Sequence, residues 1–455
     1  MNVVLLSTYD LGRQPFGLAS PAAWLRKAGA EVSCQDLSVS ALDEEPIRSA
    51  DLVAFYVPMH TATRIAAQGL ARVRSLNPSA HICFYGLYAP VNEPYLRRLG
   101  VGAILGGEFE EGLVDLVRAL GNGVGAEKLN GGPVVSLAKQ RFEVPDRRGL
   151  PDLNHYARLD LGDGRTRTVG YTEASRGCKH LCRHCPIVPV YRGVFRIVQR
   201  DVVLADIRNQ VARGARHITF GDPDFFNGVR HAIDLVGRLH AEHPNLTYDV
   251  TIKVEHLLKH TSHLPTLRST GCLFVTSAVE SVDDRVLEIF DKGHTRADFV
   301  RVVHLLREVG LNLNPTFVTF TPWTTLAGYR ELLSLLWELG LVEQVSPVQL
   351  AIRLLIPAGS RLLELPEVRG RIGGFDEAAL SHRWNHEDPR VDRLHLDVLD
   401  IVKRGEASGE SRRGIFAEVW RAAHRAEGFE RADVPVLPAL PSRSVIPFLN
   451  EPWYC

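Results

Sequence analysis

Twice along this chain, short β-prone runs alternate with helical stretches, and that alternation limits the fold more than any other sequence feature. In the first part, residues 2–7, 31–37, 51–57, 81–85 and 102–105 read as strands. Residues 20–28 (ending at Gly29), 61–76 and 108–120 read as helices between or after them. Strands separated by helices predict a parallel, doubly wound, Rossmann-like sheet. Ligands of such sheets sit beyond the carboxyl ends of the strands, here the loops after Ser7, Val57 and Tyr85. In the second part, residues 166–174, 217–220, 246–254, 273–279, 312–320 and 348–356 read as six strands. Helical stretches at 201–213, 228–243, 255–269 (interrupted at Pro265), 283–290, 296–309 and 326–339 separate or follow them. Six such units predict a partial (βα)6 TIM-type barrel with its active residues at the carboxyl ends of the strands.

The expected division is 1–121 for the first domain, 122–160 for a linker, 161–357 for the barrel and 358–455 for a C-terminal extension. The linker carries turn-prone Gly123, Gly125, Gly131 and Gly132. The extension is mostly irregular and helical: 361–388 is polar, with His382, Trp384 and His386 close together, while 397–402 and 415–426 have helical pattern. From Val434 the tail is proline-rich (Pro435, Pro438, Pro441, Pro447, Pro452), which forbids a core helix and predicts an extended strap over the barrel mouth.

Chemistry concentrates just past the first barrel strand, in Arg176-Gly177-Cys178-Lys179-His180-Leu181-Cys182-Arg183-His184-Cys185-Pro186. Thiolates at C-x₃-C-x₂-C spacing on one loop can face a single point, as a soft metal centre needs. A structural zinc normally takes four protein ligands, whereas a 4Fe–4S cluster held by three cysteines keeps one iron open. A zinc knuckle completed by His180 or His184, or three unrelated buried cysteines, are the other readings.

The spacing resembles the signature of the radical S-adenosylmethionine (SAM) superfamily. The resemblance implies a 4Fe–4S cluster on Cys178, Cys182 and Cys185, with SAM chelating the open iron and cleaved reductively to a 5′-deoxyadenosyl radical. It also implies an electron donor such as flavodoxin or ferredoxin. Gly221-Asp222-Pro223-Asp224 lies where the family holds the SAM amino group, Glu280 matches a glutamate that contacts SAM, and Lys253 falls near the SAM carboxylate. Lys292-Gly293-His294-Thr295 resembles another common stretch, whose plain role is a helix-ending turn. His184 departs from the family, which usually has an aromatic residue there; an imidazole can still pack against the SAM adenine, so the departure weakens that contact more than the cluster.

The first domain resembles the cobalamin-binding domain that precedes this core in one subfamily. Residues 17–29 and Gly106-Gly107-Glu108-Phe109-Glu110-Glu111-Gly112-Leu113 carry the likeness. The Asp-x-His-x-x-Gly motif that supplies a histidine to cobalt elsewhere is absent; Thr8-Tyr9-Asp10-Leu11-Gly12-Arg13 stands in its place. Cobalamin binding without a protein histidine and a vestigial domain both remain open. The resemblance implies group transfer, methyl or 3-amino-3-carboxypropyl, to a small molecule, with radical rearrangement as the alternative. The ending Asn450-Glu451-Pro452-Trp453-Tyr454-Cys455 resembles tails of the Cys-Cys-Ala-Glu-Pro or Cys-selenocysteine-Ala-Glu-Pro type. Cys455 is then a candidate catalytic residue, as a soft chelate for an element such as arsenic or selenium or as a redox thiol.

Lysine plus arginine equals aspartate plus glutamate at 53 each. Zero net charge removes the global electrostatic case for nucleic acid or a membrane surface. No apolar run reaches membrane-spanning length, and the start is too short for a signal peptide. Seven cysteines, an odd number, suit a reducing cytoplasm. Cys34, Cys83 and Cys272 sit in apolar strands and are expected to be buried structural thiols.

Overall fold

The structure, a computed structural model, describes residues 1–123, 133–429 and 447–450. The expectations for Gly125, Gly131, Gly132, Pro435, Pro438, Pro441, Pro452 and Cys455 lie outside the described residues.

Six strands, β1 (Asn2–Ser7), β2 (Glu31–Asp36), β3 (Leu52–Tyr56), β4 (His81–Tyr85), β5 (Ala103–Gly107) and β6 (Val134–Ser136), form the first sheet. All pair in parallel, in the order β2-β1-β3-β4-β5-β6. Every residue of β3 and β4 is buried, as befits strands covered by helices on both faces. Helices Phe16–Lys27 and Phe109–Gly121 pack on one face and His60–Leu76 on the other. The strand order reverses between β1 and β3, which opens a crevice at their carboxyl ends.

The second sheet begins with β7 (Arg158–Asp160) and β8 (Thr166–Thr172). The short pair β9 (Ser175–Gly177) and β10 (Phe195–Ile197) brackets the cysteine loop. Then come β11 (His217–Phe220), β12 (Thr247–Thr251), β13 (Cys272–Glu280) and β14 (Asn312–Phe317). β8, β11, β12, β13 and β14 are parallel neighbours, which makes a curled half-barrel. Antiparallel β7 extends its near edge, and β17 (Phe448–Leu449) pairs antiparallel outside β7.

Three expectations need correction. The sixth barrel strand at 348–356 does not form: Pro347–Leu350 is a turn of 3₁₀ helix, and one isolated bridge joins Phe320 to Arg353. The Gln349 side chain explains this, because its Oε1 accepts from the Phe317 N–H at 2.9 Å and replaces a ladder partner. The stretch 122–160 is more than a linker, since β6 completes the first sheet and β7 joins the second. The polar stretch 361–388 contains an antiparallel hairpin, β15 (Ile372–Asp376) with β16 (Ser381–Trp384), and Trp384 is buried in a core cluster. The two C-terminal helices are longer than their patterns suggest, Pro389–Ser408 and Arg412–Ala426.

Two buried arginines join the sheets. Arg147 donates from Nε and Nη2 to both oxygens of Asp206 at 2.9 Å, from Nη1 to Gln14 at 2.7 Å and from Nη2 to the Tyr171 carbonyl at 2.7 Å. Arg176, two residues before Cys178, reaches Glu110 at 2.6 Å, Glu173 at 2.7 Å and Glu108 at 3.3 Å. Three carboxylates facing one guanidinium cannot all ionise comfortably in a buried site. Glu110 is lowered: burial opposes its charge, but Arg176 and the Ser20, Gln140 contacts prevail. Glu108 is pushed up to about 7 by burial, and its Oε1 has no hydrogen-bond partner. Burial raises Glu173 too, so Glu108 and Glu173 are the acids inclined to take up a proton and Glu110 is the one held ionised.

Removing Arg176 strands buried carboxylates, so Arg176→Ala should cost roughly 3–5 kcal/mol in urea unfolding, and Arg176→Lys, lacking the planar fork, should rescue little. Glu108 ionises near 7 when folded and near 4.5 when unfolded, so the native state holds the extra proton between those values. Stability from this group is full below about 4.5 and lost as pH rises through 7; Glu108→Gln should flatten that part of the profile.

Candidate active site

The loop between β9 and β10 carries all three cysteines of the motif. Gly177 must be glycine: its φ is +70°, and a Cβ there would meet the Tyr191 ring at 2.3 Å and the Val194 carbonyl at 2.5 Å. Cys182 is buried, and Cys178 and Cys185 are half-buried. Burial pushes the Cys185 thiol up to about 12 and raises Cys178 as well. Such thiols keep their protons until a metal displaces them.

A single ion does not fit these sulfurs. Among the described residues, ligand atoms within 4.8 Å of one another come from His180, Asp224 and His256, without a cysteine. The three sulfurs do not all lie within that distance of one another. His184, the other knuckle candidate, is committed elsewhere: its ring stacks on Phe290 at 4.4 Å, and its Nε2 lies 3.1 Å from Glu280.

Around the sulfurs stand two ammonium groups. Lys253 Nζ donates to the Cys182 sulfur at 3.7 Å and to Glu255 at 3.4 Å. Lys292 donates to Glu280 at 3.2 Å, and the Cys182 and Cys185 thiols act on its charge. Burial opposes the charge on Glu280, yet Lys292 and His184 outweigh it and hold the pKa at about 2. Glu280 reaches both through an unusual backbone. It is a non-glycine residue with φ +67°, at a register shift in the pairing of β13 with β14. Three soft thiols flanked by cations fit a cluster and an anionic ligand group.

The Gly221-Asp222 turn ends β11. Gly221 is glycine because a Cβ would meet the Tyr171 hydroxyl at 1.7 Å. Asp222 is buried and accepts from the Ala174 N–H at 2.9 Å and the Ser175 hydroxyl at 2.6 Å. Burial pushes its pKa up to about 7, against those two bonds. It thus ties β11 to the start of the cysteine loop, with both residues lining the adjoining cavity.

That cavity, of about 450 Å³, lies between the two sheets. The first sheet contributes Asp10, Leu11, Arg13, Pro58, Met59 and Leu87, from the loops after β1, β3 and β4. The half-barrel contributes a polar floor of Thr219, Asp249, Thr251, Thr276, Asn314 and Thr316. Phe448 and Leu449 of the tail close one side. No histidine lines it among the described residues. Sequence reading named Arg176 only at the head of the cysteine stretch, gave Lys292 no role beyond a stretch resembling the family and a turn, and missed His256 and Gln349. Asp291, in left-handed conformation at φ 56°, does end a helix there, and Lys292 turns inward beside it.

Residues 172–336 match the radical SAM superfamily, so this chain carries a radical SAM domain, which implies a 4Fe–4S cluster and SAM. A tRNA-2-methylthio-N(6)-dimethylallyladenosine synthase from Hahella chejuensis is 24% identical over 261 residues, 53% of this chain and 56% of that protein. The match thus spans a little over half of that relative's length. TsrM from Kitasatospora setae, a radical SAM methyltransferase solved with tryptophan and a SAM analogue, superposes with TM-score 0.64 at 19% identity over 81% of this chain and 76% of that one. OxsB, solved with aqua-cobalamin and SAM, gives 0.67 at 16% over 90% and 67%. The likeness to both is one of fold. Among the described residues, no helix is long and apolar enough to cross a membrane.

The Lys292–Glu280 pair yields a pH test. Glu280 titrates at about 2 folded against about 4.5 unfolded, so its contribution is present above 4.5 and lost as pH falls toward 2. Lys292→Met should destabilise by a few kcal/mol at pH 7, with the gap to the unsubstituted protein closing below pH 4.5, read by urea unfolding at each pH.

Proposed function

We propose that this chain is a radical SAM enzyme that transfers a SAM-derived group, methyl foremost, to a small polar molecule in the cavity between its sheets. The observation that carries the reading is that cavity. It opens at the carboxyl ends of both sheets and borders the cysteine loop, so one space serves both halves of the chain. Cys178, Cys182 and Cys185 hold the cluster. Gly221, Asp222, Lys253 and Glu280 surround SAM. Bound there, the cluster and SAM supply one-electron cleavage of the sulfonium, the electron coming from flavodoxin or ferredoxin.

The chain's own residues bind, orient and exclude water. Lys253 and Lys292 offset the negative charge of three thiolates and of a carboxylate ligand. The hydroxyl- and amide-bearing floor offers donors and acceptors to a small polar substrate. A corrin would lie between the sheets at the crevice of the β1–β3 reversal, a reading supported by the fold neighbours TsrM and OxsB, which have been solved with cobalamin. Its cobalt would receive no histidine from the described lining. Transfer of the 3-amino-3-carboxypropyl group is the second reading; it uses the same cysteines and needs no corrin.

Replacing Cys178, Cys182 or Cys185 by Ala should abolish both the 4Fe–4S absorbance after anaerobic reconstitution and reductive SAM cleavage. Cleavage surviving any one replacement sinks the cluster assignment. Hydroxocobalamin supplied during purification should leave a stoichiometric corrin spectrum without histidine ligation. Its absence, with SAM cleavage intact, would favour the corrin-free transfer.

A further inference from the structure

Asp224 closes the Gly221–Asp224 turn, and its side chain faces His256 and His180. It is fully buried and uses its two oxygens in different directions. Oδ1 accepts from the Phe226 N–H at 3.1 Å and so starts the short turn Phe225–Gly228. That turn carries Asn227 to the loop. Asn227 Nδ2 donates to the Gly177 carbonyl at 3.5 Å, its Oδ1 accepts from the Lys179 N–H at 3.4 Å, and the Cys178 sulfur lies 3.9 Å from the same oxygen.

Oδ2 faces the other way, 2.6 Å from Nδ1 of His256, which is 1% exposed. Neither atom has a hydrogen bond of regular geometry, so this is a close charge contact, and Oδ2 also lies 3.7 Å from His180 Nε2. A carboxylate this close fixes a proton on Nδ1 and leaves Nε2 of the neutral ring as an acceptor. His256 Nε2 stands 3.2 Å from His180 Nε2, which must then be the donor. His180 sits between Cys178 and Cys182, and its backbone N–H favours the ionised Cys178 thiol.

We propose that Asp224 and His256 are positioning residues for the cluster loop: Asp224 grips residues 177–179 through Asn227 and, through His256, holds His180 so that its N–H stays on the Cys178 sulfur. Hydrogen bonds to ligating sulfurs help set the reduction potential of an iron–sulfur centre. An N–H held on sulfur stabilises the added electron, so the bracket raises the potential. The inference rests on the cysteines being cluster ligands.

The test compares His256→Leu with His256→Gln, whose amide can donate to Asp224 and accept from His180. In apo protein, His256→Leu should speed alkylation of the loop cysteines several-fold by iodoacetamide, with His256→Gln close to the unsubstituted rate. After reconstitution, His256→Leu should lower the cluster's midpoint potential and speed iron loss to a chelator several-fold, and His256→Gln should restore both. If His256→Leu does not fold, as judged by circular dichroism of the apo protein, His180→Leu at the more exposed end carries the same expectations. Equal alkylation rates and potentials in the Leu variants and the unsubstituted protein overturn the proposal. So does a stoichiometric extra metal ion, found by elemental analysis and lost in His256→Leu, because the three residues would then be ligands of a separate ion. Failure of the unsubstituted protein to take up a cluster would instead overturn the proposed function, leaving the alkylation comparison to judge the bracket.

Discussion

The fold depends on a guanidinium placed between two sheets. Arg176 belongs to the short strand that launches the cysteine loop, yet two of its three carboxylate partners, Glu108 and Glu110, come from the first sheet's side. Its ring contacts do the same work, with Phe16, Phe109 and Phe142 rings each within about 5.5 Å of the guanidinium carbon. A buried ion pair of this kind adds little net stability compared with apolar packing, but it tolerates no displacement of either partner. The clamp therefore registers the loop against the first sheet. The cavity lies along that registered seam, so its shape is set by the same contact.

Charge around the cysteines follows one rule: acids and amines are paired so that the ammonium groups remain near the sulfurs. Glu255 takes one contact of Lys253 and Glu280 one of Lys292, while Cys182 faces the first lysine directly. The strained backbone at Glu280 makes this pairing available. A regular β-strand end would send that side chain along the strand direction, whereas the left-handed turn redirects it toward His184 and Lys292. Burial then strengthens each pair, because little water screens it.

The parts of this molecule legible in sequence were those written in local pattern. Alternation placed nearly all the parallel strands, and His217–Phe220 and Arg296–Val309 appear with the expected bounds. Cysteine spacing located the loop, since three thiols within eight residues need no distant information. What stayed hidden was long-range. Nothing local to Arg176 announces partners 66 and 68 positions away, and nothing in Gln349 says that it will satisfy the N–H of Phe317. The missing sixth strand is that same fact seen from the chain: its residues are apolar enough for a strand, but a side chain had already taken the edge. Asp224 shows the opposite error. It was read only as part of an acidic turn, but two residues past Asp222 its carboxylate faces His256 and His180 and not the Ala174 and Ser175 donors that hold Asp222.

The double glycine before Glu108 belongs to one of the two stretches that resemble cobalamin-binding domains. Gly107 has φ +67°, and a Cβ there would meet the Ser136 carbonyl at 2.2 Å. The glycine is thus required by the pairing of β5 with β6, whatever the crevice holds. Glu108 and Glu110, the acids that follow, are spent on Arg176. The motif is accounted for by packing and by the clamp, so it carries no weight for a corrin by itself. The weight falls on the cavity, where loops after β1, β3 and β4 face the half-barrel floor across one continuous space. That space is the part of the first domain's crevice that neither the clamp nor the glycines account for.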